Sequence, residues 1–114
     1  MADCLFCKIA EGTLPARKVH EDALCVGFED LNPKAPLHVL FIPRRHVASA
    51  DALTPEDEGL FGHLAVAAAA HARARGFAES GYRLVVNTNR DAGQTVFHLH
   101  LHLLAGRSLT WPPG

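Results

Sequence analysis

The run Gln94-Thr95-Val96-Phe97-His98-Leu99-His100-Leu101-His102-Leu103-Leu104 decides the reading of this chain. Imidazoles and leucines alternate at every second position, the period of a β-strand, whose successive side chains point to opposite faces. A strand is therefore expected over residues 96–104, with His98, His100 and His102 on one face and Leu99, Leu101 and Leu103 on the other. At a rise of about 3.3 Å per residue, side chains two apart lie roughly 6–7 Å from each other, so one small group can touch two imidazoles. Histidine attacks, exchanges protons or binds metal near neutral pH. Three in a row call for a chemical explanation where a lone core histidine would not.

Working outward, residues 82–86 read as another strand, and residues 87–93 as a polar loop leading into the histidine run. Earlier in the chain, residues 23–28 and 37–43 are β-prone, and the Asn and Pro content of the intervening Asp30-Leu31-Asn32-Pro33-Lys34-Ala35-Pro36 makes it a loop between antiparallel neighbours. Thr54 fits a helix N-cap, with Pro55 at the first helical position and Asp57 three residues after the cap. Leu60, Phe61, Leu64, Ala68 and Ala72 then recur at helical spacing, and Gly76 is a plausible stop. The alanines at 67–70 suit either close packing or helix propensity alone. Residues 4–11 read as a short helix or turn. Strands on both sides of one long helix make an α+β domain with an antiparallel sheet.

With 114 residues and 48% hydrophobic content, the chain has the size of one domain, placed here over residues 1–114. A net charge of -1 gives no broad basic field, so nucleic acid is not expected as a principal ligand. No stretch is long and apolar enough for a membrane span, and no signal-peptide pattern opens the chain, so a cytoplasmic location is expected. The odd count of three cysteines favours thiol or metal chemistry over a disulfide framework. Cys4 and Cys7 have the spacing common among zinc ligands, though they also fit small apolar residues packing a first turn. Cys25 reads as core. His20, His63 and His71 read as exposed residues explained by surface polarity alone.

The sequence HLHLHLL preceded by GQTVF, together with Asp30-Leu31-Asn32-Pro33 and the segment APLHVLFIPRRH, resembles the histidine triad (HIT) superfamily over nearly the whole chain. The Ala105-Gly106-Arg107 ending and the terminal Trp111-Pro112-Pro113-Gly114 resemble its HINT branch of histidine triad nucleotide-binding proteins. The fragile-histidine-triad branch typically has Pro-Arg where this chain has Gly106-Arg107.

The resemblance implies a HIT-like fold: an antiparallel five-stranded sheet, one long helix and a short N-terminal helix. It also implies hydrolysis of purine nucleoside 5′-monophosphate derivatives, such as AMP or GMP phosphoramidates, through a nucleotidyl-histidine intermediate. His100 matches the nucleophile. A neutral imidazole with one free ring nitrogen can attack phosphorus, and a hydrogen bond from the other nitrogen to a backbone carbonyl would fix that tautomer. His102 and His38 match residues that contact phosphate and assist proton movement. Asn87, Gly93 and Thr95 match positions holding the phosphate and leaving group; backbone N–H groups around Gly93 could stabilise phosphate charge. Thr95 stands where HINT proteins often carry serine, and Ala92 replaces a frequent glycine. Asp30 matches the acceptor for the ribose hydroxyls, although it also suits the turn at Asn32-Pro33. Phe6, Ile9, Phe28 and Leu31 match the apolar slot for the base, and would otherwise read as core.

Many HIT proteins bind structural zinc through a set that corresponds here to Cys4, Cys7, His46 and His98. Such a site is closed, so no metal is expected to be needed for catalysis. HINT proteins form homodimers, with the terminal tryptophan segment near the partner's active site. Other readings remain: a nucleotide-binding dimeric adaptor with slow hydrolysis, a dinucleoside polyphosphate hydrolase, or a metalloenzyme using the triad as ligands. Against the last, no additional carboxylate is expected beside the triad, and zinc already has a closed site at the cysteines.

Overall fold

A computed structural model describes residues 3–114. Its core is one five-stranded antiparallel sheet in the order β1-β2-β3-β5-β4: β1 (Lys18–Glu21), β2 (Cys25–Glu29), β3 (Leu37–Pro43), β4 (Tyr82–Val85) and β5 (Leu101–Ala105). Helix α1 (Leu5–Glu11) covers part of one face; helix α2 (Glu58–Ala74) covers the other. This is the α+β arrangement expected.

Strand alternation sorts the side chains between two cores. Leu37, Val39 and Phe41 of β3 and Leu101, Leu103 and Ala105 of β5 pack toward α2. Leu40 and Ile42, with Val26 and Phe28, pack instead against Phe6, Ile9 and Ala10 of α1. All seven residues of β3 are buried because the strand is central and covered on both faces. Leu64, Ala68 and Ala72 follow each other at four-residue spacing along α2 and are fully buried. The small volumes of Ala68 and Ala72 bring that part of the helix backbone close to the sheet.

The helix boundaries follow from local chemistry. Thr54 N–H donates to Asp57 Oδ2 at 3.0 Å, the reach-back bond of a capping box, but the cap opens a single 3₁₀ turn (Pro55–Asp57) before α2 begins. At the other end Gly76 takes φ +87°, and the N–H groups of Gly76 and Phe77 close onto the carbonyls of Arg73 and Ala72. That is a Schellman ending, for which the left-handed residue is best a glycine.

Two expectations need correction. Regular β5 starts only at Leu101, because residues 96–98 bend and Leu99 N–H turns to the Val47 carbonyl. The alternation survives the loss of the ladder: Leu99 packs with Leu101 and Leu103 on the α2 side, away from the histidines. The fourth strand read at 82–86 ends at Val85. The remaining strand, β1, has only four residues with no clear apolar alternation, as suits an edge strand that needs just one neighbour. Among the described residues, no helix is long and apolar enough to cross a membrane.

Candidate active site

A cavity of about 440 Å³ opens on the α1 side of the sheet. Its walls include Phe6, Ile9, Phe28 and Leu31, the polar residues Asp30, Asn87 and Thr95, and Gly93, His100 and His102. Every residue read from sequence as nucleotide-binding thus meets in one place, although they come from five separate segments. Leu31 stands at the rim, 93% exposed, whereas Phe6 and Phe28 form the slot itself, their rings edge to face at 5.4 Å. Phe6 also meets the His100 ring at 5.2 Å, so the apolar slot leads directly to the imidazole.

The hydrogen bonds fix the tautomer of each histidine. His100 Nδ1 donates to the carbonyl of His98 at 2.7 Å. A carbonyl only accepts, so neutral His100 keeps its proton on Nδ1 and has an unprotonated Nε2. At His38 the order is reversed: Lys34 N–H donates to Nδ1 at 3.0 Å, which leaves the proton on Nε2. That nitrogen donates to His102 Nδ1 at 2.9 Å and lies 3.5 Å from Asp30 Oδ2. With Nδ1 accepting, His102 carries its proton on Nε2. The two rings that line the cavity are 5.0 Å apart, one offering a lone pair and the other an N–H.

Burial favours the neutral form of His102 and His38. It pushes His102 from an ordinary value of 6.5 down to about 4, helped by His100 and His38 and opposed by Asp30. Burial lowers His38 as well, against the pull of Asp30. Asp30 serves two purposes: Oδ1 accepts the Asn32 N–H at 2.8 Å and shapes the turn, while Oδ2 faces His38. A carboxylate therefore does lie beside the triad, contrary to the sequence reading, and Asp30, His38 and His102 have ligand atoms within 4.8 Å of one another.

The loop before the triad differs from expectation in one respect. Gly93 and Gln94 donate their N–H groups to the carbonyls of Arg90 and Asn89, so neither amide is free to hold a phosphate. What Gly93 supplies is φ +83°, a left-handed turn that other residues adopt only with strain. Sequence reasoning missed Gln94, which is buried and rivets the loop: Oε1 accepts from Asn89 N–H, and Nε2 donates to the carbonyls of Ala48 and Val96. It also missed Leu40, Val96 and Arg17 as cavity walls. No local pattern marks them, because only the folded sheet and the turn after α1 bring them there.

Beside the cavity, Cys4, Cys7, His46 and His98 place their ligand atoms within 4.8 Å of one another. Cys4 Sγ lies 3.3 Å from His98 Nδ1, and Cys7 Sγ lies 3.3 Å from His46 Nδ1. Cys4 also caps α1 by accepting the Cys7 N–H. His98 Nε2 donates to the Pro43 carbonyl at 2.8 Å, which leaves Nδ1 free to ligate. Burial, with Cys4 alongside, pushes the Cys7 thiol up, so its thiolate requires a cation nearby. Two sulfurs and two imidazoles fit tetrahedral zinc.

The triad therefore splits: His98 faces the cysteines, while His100 and His102 face the cavity. A family model for the HIT domain matches residues 11–109. The chain belongs to the HIT domain family. An HIT-like protein of Synechocystis sp. is 49% identical over 112 residues, covering 98% of this chain and 97% of its own. The HIT family hydrolase of Legionella pneumophila has the same fold, with a TM-score of 0.97 and 48% identity over 98% of this chain and 100% of its own. A zinc-bound histidine triad family protein of Mycobacterium smegmatis is more distant, with a TM-score of 0.79 and 31% identity over 93% of this chain and 76% of its own. In this HIT domain the paired sites described above share one segment, since the His98 side chain turns to the thiols while its carbonyl holds His100.

Proposed function

We propose that this HIT domain is a nucleoside phosphoramidate hydrolase of the HINT type, acting on purine nucleoside 5′-monophosphate derivatives such as AMP or GMP phosphoramidates. The carrying observation is the His100 ring, which lines the nucleotide-sized cavity with Nδ1 tied to the His98 carbonyl and Nε2 unprotonated. Asp30 accepts hydrogen bonds from the ribose hydroxyls, and the base enters between Phe6, Ile9, Phe28 and Leu31. His100 Nε2 forms a bond to phosphorus as the phosphorus–amine bond breaks. The departing nitrogen takes its proton from solvent water, because neutral His102 and His38 hold one proton each; His102 Nε2–H donates a hydrogen bond to the phosphate, and His38 Nε2–H orients His102 from 2.9 Å. Thr95 and Asn87 position the leaving group and phosphate. Water then attacks phosphorus and returns one proton to solvent as the phosphorus–His100 bond breaks, releasing the nucleoside monophosphate and restoring neutral His100.

The Legionella relative's description as a hydrolase and the Gly106-Arg107 and WPPG ending support this reading. Zinc held by Cys4, Cys7, His46 and His98 would tie α1 to the histidine segment. The protein acts as a homodimer with residues 1–114 as a single HIT domain. Brief reaction of wild type with radiolabelled AMP-amine is expected to leave acid-labile, base-stable label on His100. His100→Ala should abolish turnover while largely retaining nucleotide binding, because Asp30 and the apolar slot are untouched. Label on another residue, or near-wild-type turnover of the variant, would falsify the mechanism. The Asp30, His38 and His102 cluster favours a metalloenzyme as the second reading, and it predicts that chelation stops turnover of folded protein.

A further inference from the structure

His20, Asp22, Cys25 and His63 form a second cluster on the α2 side of the sheet, outside the cavity. A bulge at Val19 creates it. Lys18 pairs with Phe28, yet His20 pairs with Gly27, so the register slips by one residue. A bulge sets two residues against one and re-aims the side chain that follows. His20 consequently lies on the α2 side beside Phe41, at 6.0 Å between rings. Gly27 is required beneath, because a Cβ there would come within 2.7 Å of the Phe41 ring.

On this face His20 Nε2 lies 2.6 Å from Asp22 Oδ2, and His63 reaches from α2 to place its own Nε2 2.7 Å from the same oxygen. Cys25 Sγ lies 3.5 Å from that oxygen, and ligand atoms of His20, Asp22 and Cys25 all fall within 4.8 Å of one another. The other carboxylate oxygen accepts the N–H groups of Leu24 and Cys25 at 2.8 Å each, which fixes the carboxylate and directs Oδ2 at the two imidazoles. The side chains of His20, Asp22 and His63 are 31%, 29% and 34% exposed, so the cluster opens to solvent, with the buried thiol behind it. Arg44 is the nearby cation; its Nε donates to the Asp22 backbone carbonyl and its Nη2 lies 3.7 Å from Glu21, which offsets its charge.

We propose that His20, Asp22, Cys25 and His63 bind a divalent transition metal of the zinc class, at a site separate from that of Cys4, Cys7, His46 and His98. Two imidazoles, a carboxylate and a thiolate are a donor set suited to such a cation. On binding, each neutral imidazole moves its proton from Nε2 to Nδ1, and the Cys25 thiol releases one proton to solvent. The carboxylate and new thiolate then balance the dication. Zinc bonds of about 2.0–2.3 Å require both imidazole nitrogens to leave Oδ2 and close on the metal, His63 as the fourth donor joining the three that already lie together, by rotation of the two part-exposed rings. Three donors come from the β1–β2 hairpin and one from α2, so the metal would fasten the helix to the sheet edge. The site stands whether or not His100 hydrolyses phosphoramidates.

The test titrates metal-free full-length protein with zinc and counts equivalents by equilibrium dialysis and elemental analysis. Wild type is expected to bind one zinc per chain more than His63→Gln, and one more than Asp22→Asn, each variant first checked as folded by circular dichroism. His63→Gln keeps a neutral, part-exposed side chain on the helix and should leave folding intact. Failure of the Cys4 cluster to bind lowers every total by one and leaves the difference unchanged. With cobalt(II), the thiolate charge-transfer absorption of wild type should exceed that of Cys25→Ser by one thiolate's share. Equal zinc stoichiometry in wild type and both variants shows that the cluster is only a hydrogen-bonded clamp and overturns the proposal.

Discussion

At the scale of single residues, chemistry is set by which ring nitrogen holds the proton. His98, His100 and His102 are chemically identical in sequence, yet the partners of their nitrogens make one a candidate metal ligand, one an acceptor and one a donor. A pH dependence follows. Because His102 falls to about 4 in the folded state from 6.5, the unfolded chain binds more protons between those values. Its contribution to stability is complete above pH 6.5 and is lost as pH falls toward 4, with His38 acting in the same direction. Midpoints of urea unfolding should thus decline as pH drops through this window, and His102→Asn should show a shallower decline than wild type. An identical slope in the variant would assign the acid sensitivity elsewhere. The surface reading of His20, His63 and His71 also fails at this scale. The first two clasp Asp22, and hydrogen bonds from them outweigh burial to hold its carboxyl well below the usual range. His71 buries Nε2 against the sheet, its ring 6.2 Å from that of Phe41.

At the scale of elements, two short segments control the site's shape. Gly93 makes a left-handed turn with open space around its missing Cβ, so Gly93→Ala carries backbone strain of about 1 kcal/mol without a clash. It should lower turnover by shifting Thr95 and Asn87 while moving the melting temperature by only a few degrees; steady-state kinetics beside thermal denaturation separates the two effects. Helix α1 is held at its start by Cys4, whose sulfur caps the helix and faces His98. Cys4→Ala should therefore reduce thermal stability more than turnover chemistry, since metal binding is linked to folding. Elemental analysis of the wild type should find zinc at the Cys4 cluster, and a variant as stable as wild type would remove the structural role.

For the whole molecule, the open question is how the C-terminal tail is used. Arg83 of β4 donates to the carbonyls of Leu109 and Thr110, fixing the base of the tail, while Trp111 beyond it is 81% exposed. An apolar indole left in solvent suits a surface completed by a second copy. Sedimentation at micromolar concentration should give a dimer, and truncation after Thr110 should alter rate or substrate preference while the far-UV spectrum stays unchanged. A monomer with full activity would argue against the tail's role.

The sequence alone determined the elements whose signals are local. Period-two alternation marked β5 and β-prone runs marked β2 and β3, the Thr54 to Asp57 cap and the spacing from Leu60 to Ala72 marked α2, and the motif residues identified many of the cavity walls. It left β1 unplaced, because four edge residues with mixed polarity have no periodicity to read. Tertiary structure alone decided the direction of each triad ring, the engagement of the Gly93 and Gln94 amides within their own turn, and the meeting of His20 with His63. The reason is physical: rings such as His38 and His102, or His63 and Asp22, meet partners tens of residues away, and the turn that engages the Gly93 and Gln94 amides is anchored by the Gln94 side chain to Ala48. Hydrogen-bond partners and register shifts follow from packing the sheet between its two helices, and no local pattern encodes them.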